Sequence, residues 1–198
     1  MPQQPSNVAF FDGANTQHDF TVVLRGYDRT QVDDFVGRLN AQLAQSEQAR
    51  NEAALKQFES VATAHPSTPS GITARYHMAG ALAALGRHAE AITAFDDVAN
   101  RAGATSLYGR MARLGKADAQ AKSGQLDAAI TTWKTMVTQD ASELPVDAIL
   151  IELARAYVTK GNTAEAKQTF TQIVDQHPDS PYVQEARSGL ETLSAATS

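Results

Sequence analysis

The histidines and the adjacent acidic pairs are the residues of this chain whose chemistry could support catalysis or metal binding. The 198 residues include five histidines and no cysteine, which excludes thiolate nucleophiles, disulfides and zinc–thiolate sites. His77 and His88 are eleven residues apart on separate predicted helices, a poor spacing for a shared metal. In Asp33-Asp34 and Asp96-Asp97 the neighbouring carboxylates point partly to different sides of a helix, which favours solvated faces.

The sequence motifs of common enzyme classes are also missing. The chain contains no GxSxG, HExxH, GxxxxGK or GxGxxG segment, so nucleophile elbows, zinc-protease helices and phosphate-binding loops are not indicated. We therefore predict no catalytic residues, no metal and no cofactor, and a protein that is not an enzyme.

Charge and hydropathy restrict the possible partners. A net charge of −5 provides no basic field to displace counterions from phosphates, so we predict no nucleic-acid partner. No apolar run approaches the roughly 20 residues that span a bilayer. The first residues lack the basic and apolar regions of a signal peptide. We expect a cytoplasmic protein whose contact with the inner face of a membrane, if it has one, is peripheral.

An internal repeat organises the chain from residue 54 onward. An alanine is followed four residues later by a large aromatic residue, and this pair recurs every 37 or 38 residues. The four pairs are Ala54/Phe58, Ala91/Phe95, Ala129/Trp133 and Ala166/Phe170. In the last three copies a glycine, at 86, 124 or 161, precedes the aromatic by nine residues. Glycine ends a helix by adopting a left-handed conformation, and alanine allows close helix packing. The pattern predicts stacked antiparallel helical hairpins.

The residues of the cleanest copy lie at the offsets of a known repeat family. They are Leu153, Ala154, Tyr157, Gly161, Ala166, Phe170 and Pro178. The segment resembles the tetratricopeptide repeat family, which implies an all-α solenoid over residues 54–195 with about three and a half hairpins and a capping helix. The middle copy departs from the pattern at Lys116 and Gln120. Thr68-Pro69 and Ser180-Pro181 each predict an N-cap followed by proline at the first helical position.

The same resemblance implies a non-catalytic surface that binds a protein or peptide. The first helices of stacked hairpins line a concave groove, which in this family receives a segment of a partner. Basic and imidazole side chains on or beside the predicted first helices are candidates to meet acidic groups there. They are Arg75, His77, Arg110, Arg113, Lys116 and Arg155. The alternative is that each is an ordinary solvated position.

The first fifty residues follow a different pattern. A short β-like run ends at Leu24, and apolar residues then recur at three- and four-residue spacing, which predicts an amphipathic helix. The apolar positions are Val32, Phe35, Val36, Leu39 and Leu43. Nothing nearby in the sequence covers this face, so we predict that it forms the seam of a homodimeric coiled coil. Neither glycine nor proline occurs between Arg38 and His65, which predicts one helix from about Arg29 to Ala64.

Residues 15–45 resemble the amino-terminal domain of the DivIVA family of bacterial cell-pole and septum proteins. The resemblance is carried by Phe20, by Arg25-Gly26-Tyr27-Asp28 and by Val32, Asp33 and Phe35. It implies a parallel dimeric coiled coil whose tips contact the cytoplasmic membrane through Leu24 and Arg25. The alternative is that these two residues only shape the turn before the helix.

The leading hypothesis is a scaffold with three parts. Residues 1–19 form a flexible amino terminus, residues 20–53 dimerise the chain and bring it to membrane, and residues 54–195 recruit a protein partner. The first alternative is an envelope or secretion accessory protein, similar to the ancillary subunit of the secretion translocon, whose repeats hold client proteins. The second is an engineered fusion of the two parts.

Overall fold

The chain folds into eight helices over the residues that the structure, a computed structural model, describes. These residues are 22–23, 26–27, 29–139 and 144–195, with the backbone alone described for 22–23, 26–27 and 139. The helices are α1 (Arg29–Ala64), α2 (Pro69–Ala84), α3 (His88–Ala102), α4 (Leu107–Lys122), α5 (Leu126–Gln139), α6 (Val146–Lys160), α7 (Thr163–Gln176) and α8 (Val183–Ala195). The predicted all-α solenoid is confirmed. The expected flexible segment 1–19 lies outside the described residues.

Glycines close the three helical hairpins α2/α3, α4/α5 and α6/α7. Gly86, Gly124 and Gly161 have φ angles of 73°, 83° and 75°, the left-handed region that other residues resist. The N–H of the residue after each glycine donates to a carbonyl of the preceding helix at 2.8 to 2.9 Å, as in a Schellman motif. The predicted hairpin turns are therefore present at all three glycines.

Two of the hairpins' first helices, α2 and α4, begin at a residue whose side chain caps the helix. The N–H of Gly71 donates to Thr68 Oγ1 at 3.1 Å, so α2 begins at the predicted N-cap. Ser106 caps α4 in the same way. The prediction for Ser180-Pro181 is wrong, because α8 begins at Val183. The Ser180 hydroxyl donates to Asp147 of α6 at 2.8 Å and accepts from the N–H of Tyr182 at 3.2 Å, and residues 180–182 form a turn before the helix.

The hairpin core is built from alanines and aromatics. Ala91, Ala129 and Ala166 are fully buried, and the aromatics that follow them, Phe95, Trp133 and Phe170, are at most 4% exposed. The first copy differs, since Ala54 and Phe58 are only half-buried. Buried apolar side chains of the described residues form two clusters. One joins α2, α3 and α4, and the other joins α4 with α5 to α8.

Glycine on a neighbouring first helix makes room for each of two aromatic rings. A Cβ added to Gly115 of α4 would lie 2.5 Å from the Phe95 ring, and one added to Gly189 of α8 would lie 2.6 Å from the Phe170 ring. In the first copy the ring of Phe58 instead stacks on His77 of α2, with centroids 5.1 Å apart. The recurring aromatic thus packs between one hairpin and the next.

The amino-terminal unit is described separately, because the chain divides between Glu47 and Gln48, within α1. Its β1 (Val22–Val23) and β2 (Gly26–Tyr27) pair antiparallel. The α1 helix has the bounds expected from the sequence. In its apolar stripe Val32 and Phe35 are half-buried. The remaining positions, Val36, Leu39 and Leu43, are 46%, 46% and 59% exposed.

Candidate functional site

The first helices α2, α4, α6 and α8 lie side by side and form a surface that we call the groove. The rings of Tyr76 (α2) and Tyr108 (α4) meet edge to face, with centroids 5.7 Å apart. Between α6 and α8, Arg155 donates to both carboxylate oxygens of Glu185, at 2.7 and 2.6 Å. Because stacked hairpins curve, such a surface is concave and accessible to an extended or helical segment of another protein.

Asp118 is a partly buried acid in this groove. Burial, followed by the nearby Glu152 carboxylate, raises the pKa of Asp118 from 3.8 to about 6, while Lys122 and the Trp133 indole act in the opposite direction. Asp118 in turn raises the pKa of Tyr76 on α2, after burial of the phenol itself. The Trp133 indole is close enough to lower the pKa of this carboxyl group, although its N–H has no hydrogen bond with regular distance and angle. Asp118 on α4 therefore interacts electrostatically with groups on α2, α5 and α6.

An apolar cleft lies between α6 and α8. It has a volume of about 400 Å³, and Arg155 and Glu185 form its rim. The Phe170 ring forms the floor because Gly189 has no side chain to cover it. Its walls carry Val158, Thr159, Ser188, Thr192 and Leu193. Val158 is 44% exposed, so the cleft presents apolar surface that the chain itself does not cover.

Arg75 and Lys116, two of the predicted groove residues, form ion pairs with acidic residues of α3. Arg75 contacts Asp97 of α3 at 3.3 Å and donates to the carbonyl of Ala62, near the end of α1, at 3.1 Å. Lys116 contacts Asp96 of α3 at 2.7 Å. These contacts fix first helices to their neighbours. Whether either side chain also meets a partner stays a prediction.

Of the other predicted groove residues, two arginines bond to backbone carbonyls, Arg155 forms ion pairs and His77 stacks on an aromatic ring. Arg110 donates to the carbonyl of Thr105, and Arg113 donates to that of Ala104, both in the loop before α4. Arg155 lies in the groove and is held by Glu152 and Glu185. His77 is exposed and stacks on Phe58. Their role in binding likewise stays a prediction.

The sequence reasoning missed the acids and aromatics of the groove. Asp118, Glu152, Tyr76 and Tyr108 all lie on first helices, so the repeat alignment could have placed them there. The sequence-based candidates were basic and imidazole side chains, which could meet acidic groups of a partner. The burial of Asp118 depends on α6 and could not be deduced from its own helix.

The stacked hairpins and their groove place this protein in the class of helical-repeat proteins, which present one extended surface. Two family models of the tetratricopeptide repeat match the chain, one over residues 43–106 and the other over residues 145–190. The chain therefore contains tetratricopeptide repeats. Both matched ranges lie beyond residue 42, so they give no support to the DivIVA resemblance of residues 15–45.

Solved structures of tetratricopeptide-like repeats share this fold. One contains the nearly identical TPR-like repeats of a candidate kinesin light chain from Podosopora anserina. It is 24% identical, covers 80% of this chain and 94% of its own, and superposes with a TM-score of 0.59. Its Q17M variant is 23% identical over 80% of this chain and 93% of its own, with a TM-score of 0.60. No curated protein sequence matches the chain.

Within the described residues, no helix combines the length and apolar character needed to cross a membrane.

Proposed function

We propose that this protein is a non-catalytic scaffold that recruits a protein partner through the groove of α2, α4, α6 and α8. The observation that carries the proposal is the groove itself: a run of first helices that holds a half-buried acid, Asp118, and an open apolar cleft. Repeat solenoids use the concave surface for binding.

Position-specific photo-cross-linking in the native cells tests this proposal. A photoreactive amino acid replaces Lys122 or Thr159, which are exposed beside Asp118 and beside the cleft. The matched controls are Thr131 and Thr171, exposed on the second helices α5 and α7. We expect the same discrete adduct from both groove positions and none from the controls. Adducts that are equal at all four positions, or confined to the controls, would contradict the proposal.

The scaffold is further proposed to dimerise through the apolar stripe of α1. Support comes from the exposure of Val36, Leu39 and Leu43 and from the DivIVA resemblance, since a contiguous apolar helix face is commonly covered by a second helix. Sedimentation equilibrium provides the test. The double variant Leu39→Ser/Leu43→Ser should have the monomer mass where the unmodified chain has twice that mass. Val61→Ser, which changes another exposed apolar residue of α1, is the control. A monomeric unmodified chain would refute dimerisation.

Membrane contact through Leu24 and Arg25 is proposed on the resemblance alone, since both residues lie outside the described residues. A single arginine near an anionic leaflet contributes only about 1 kcal/mol, so binding would need several tips acting together. Flotation with anionic vesicles tests the idea. The unmodified chain should float with the vesicles, and Leu24→Ala or Arg25→Ala should not. Failure of the unmodified chain to float would exclude this role and leave the groove proposal intact.

A further inference from the structure

The charge that the groove offers to a ligand is negative at Asp118. Arg75, Lys116 and Arg155 are each paired with a carboxylate of this chain. In contrast, no lysine, arginine or histidine nitrogen of the described residues lies within 4.0 Å of the Asp118 carboxylate. Lys122 is close enough to lower the acid's pKa but does not pair with it. Asp118 therefore remains available to a cation from outside.

The apolar cleft and the acid are connected through α6. Arg155, on the rim of the cleft, donates to Glu152 at 2.6 Å, and Glu152 is the carboxylate that acts on Asp118. A ligand that fills the cleft with an apolar side chain thus has carboxylates beside it along the groove. The N–H of Trp133, 1% exposed, is directed at the acid and favours its ionised form.

We propose that the groove binds a segment of a partner protein that carries a large apolar side chain close to a lysine or arginine. The apolar side chain enters the α6–α8 cleft over Phe170, and the cation lies beside Asp118 and Glu152. This assignment rests on the proposed function and names the chemistry of the partner. It differs from the sequence-based expectation of acidic ligands, because the basic side chains that would have met them are engaged within the chain.

A consequence of this arrangement is pH dependence. The groups facing Asp118 are Glu152 of α6, Trp133 of α5, Tyr76 of α2 and Lys122 of its own helix. A bound cation favours the ionised carboxylate and lowers the pKa of Asp118 from about 6. Binding at pH values near 6 therefore releases protons, and the affinity decreases as the pH falls through that range.

Fluorescence anisotropy with four synthetic peptides tests the assignment on the full chain. The peptides, of about twelve residues, combine Leu or Ser at one position with Lys or Glu a few residues away. We expect the Leu/Lys peptide to bind about tenfold or more tightly than the other three. Ser188→Trp, which fills the cleft from an exposed position, should weaken that peptide about tenfold. Gln168→Trp, exposed on α7, is the matched control and should leave binding unchanged.

Asp118→Asn tests the acid independently of the cleft. This variant should bind the Leu/Lys and Leu/Glu peptides about equally, and its affinity should not change between about pH 7.5 and 5.5, where that of the unmodified chain falls. Circular dichroism confirms that each variant is folded. Equal or tighter binding of the Leu/Glu peptide to the unmodified chain, or no binding of any peptide, would overturn the assignment. Cross-links confined to the groove would still support the scaffold function in either case.

Discussion

At the scale of single residues, Asp118 shows how burial disfavours the ionised form of a carboxyl group. The folded protein holds the proton of this carboxyl group to about pH 6, whereas the group's ordinary pKa is 3.8. Burial is the larger cause and the Glu152 carboxylate the next. Because the folded state binds the proton more tightly than the unfolded chain, Asp118 contributes less to stability as the pH rises from about 4 through 6. Ionisation of Asp118 in the folded protein therefore lowers the free energy of unfolding.

Asp118→Asn should increase the free energy of unfolding at high pH. Removing the buried negative charge should stabilise the protein by about 1–2 kcal/mol at about pH 8. Near pH 4 and below, where the carboxyl group is protonated in the folded state, the effect should be close to zero. Urea unfolding at both pH values measures the difference. Asp175→Asn, at an exposed carboxylate of α7, should change little at either pH. Equal effects of Asp118→Asn at both pH values would contradict the linkage.

Residues that act through local backbone geometry were predictable from the sequence. Gly86, Gly124 and Gly161 mark the hairpin turns because their left-handed conformation depends only on neighbouring residues. Asp118 was not predictable, since its pKa depends on Glu152, 34 residues away in the chain, and on burial by other helices. For the same reason, the sequence placed Arg75 and Arg155 on first helices but did not reveal their partners Asp97 and Glu185.

At the scale of elements, the middle hairpin is the one that departs from the repeat. Lys116 and Gln120 of α4 occupy the positions filled by Met78 and Leu82 in α2. The ammonium of Lys116 is satisfied by Asp96, but Gln120 is only 7% exposed and its Oε1 has no hydrogen-bond partner. A buried carbonyl without a partner loses its hydration without compensation. Hairpin α4/α5 therefore contains a polar group that weakens its packing.

Gln120→Leu should stabilise the protein. The change restores the apolar residue found at the equivalent position 82 and removes the unsatisfied carbonyl, which we expect to increase the free energy of unfolding by about 1–2 kcal/mol. Chemical denaturation at neutral pH provides the measurement. The control Gln184→Leu changes an exposed glutamine of α8 and should have an effect within about 0.5 kcal/mol. Loss of stability in Gln120→Leu would show that the amide makes an essential contact.

The boundaries of the elements show where sequence patterns are reliable. The continuation of α1 to Ala64 followed from the absence of glycine and proline between residues 38 and 65, and Thr68 was recognisable as a cap from its own side chain. Ser180-Pro181 carries the same local signal, and the Ser180 oxygen does accept from the N–H of Tyr182, but α8 begins only at Val183. Local signals therefore identify a capping side chain more reliably than the residue at which the helix begins.

At the scale of the whole repeat domain, packing is divided between neighbours. Among the residues that the structure describes, the cluster around α2 and α3 and the cluster around α6 and α7 share only α4, which contributes Ala112 and Ala119 to the first and Ala117 to the second. In a solenoid each hairpin contacts only those beside it, so stability is a sum of local contributions. The recurring alanine and aromatic residues predicted this stacking. They did not predict that the buried core divides into two clusters.

Two core substitutions at equivalent repeat positions test whether the clusters open separately. Val98 of α3 and Ile173 of α7 are both fully buried and lie in different clusters. Ile173→Val should cost about 1 kcal/mol and Val98→Ala about 2 kcal/mol, through lost burial and residual cavities. Native-state hydrogen exchange measures where the protection is lost. Ile173→Val should lower protection in α6 and α7, about fivefold for 1 kcal/mol, and leave α2 and α3 unchanged. Val98→Ala should do the reverse, and a uniform loss from either variant would mean that the domain opens as one cooperative unit.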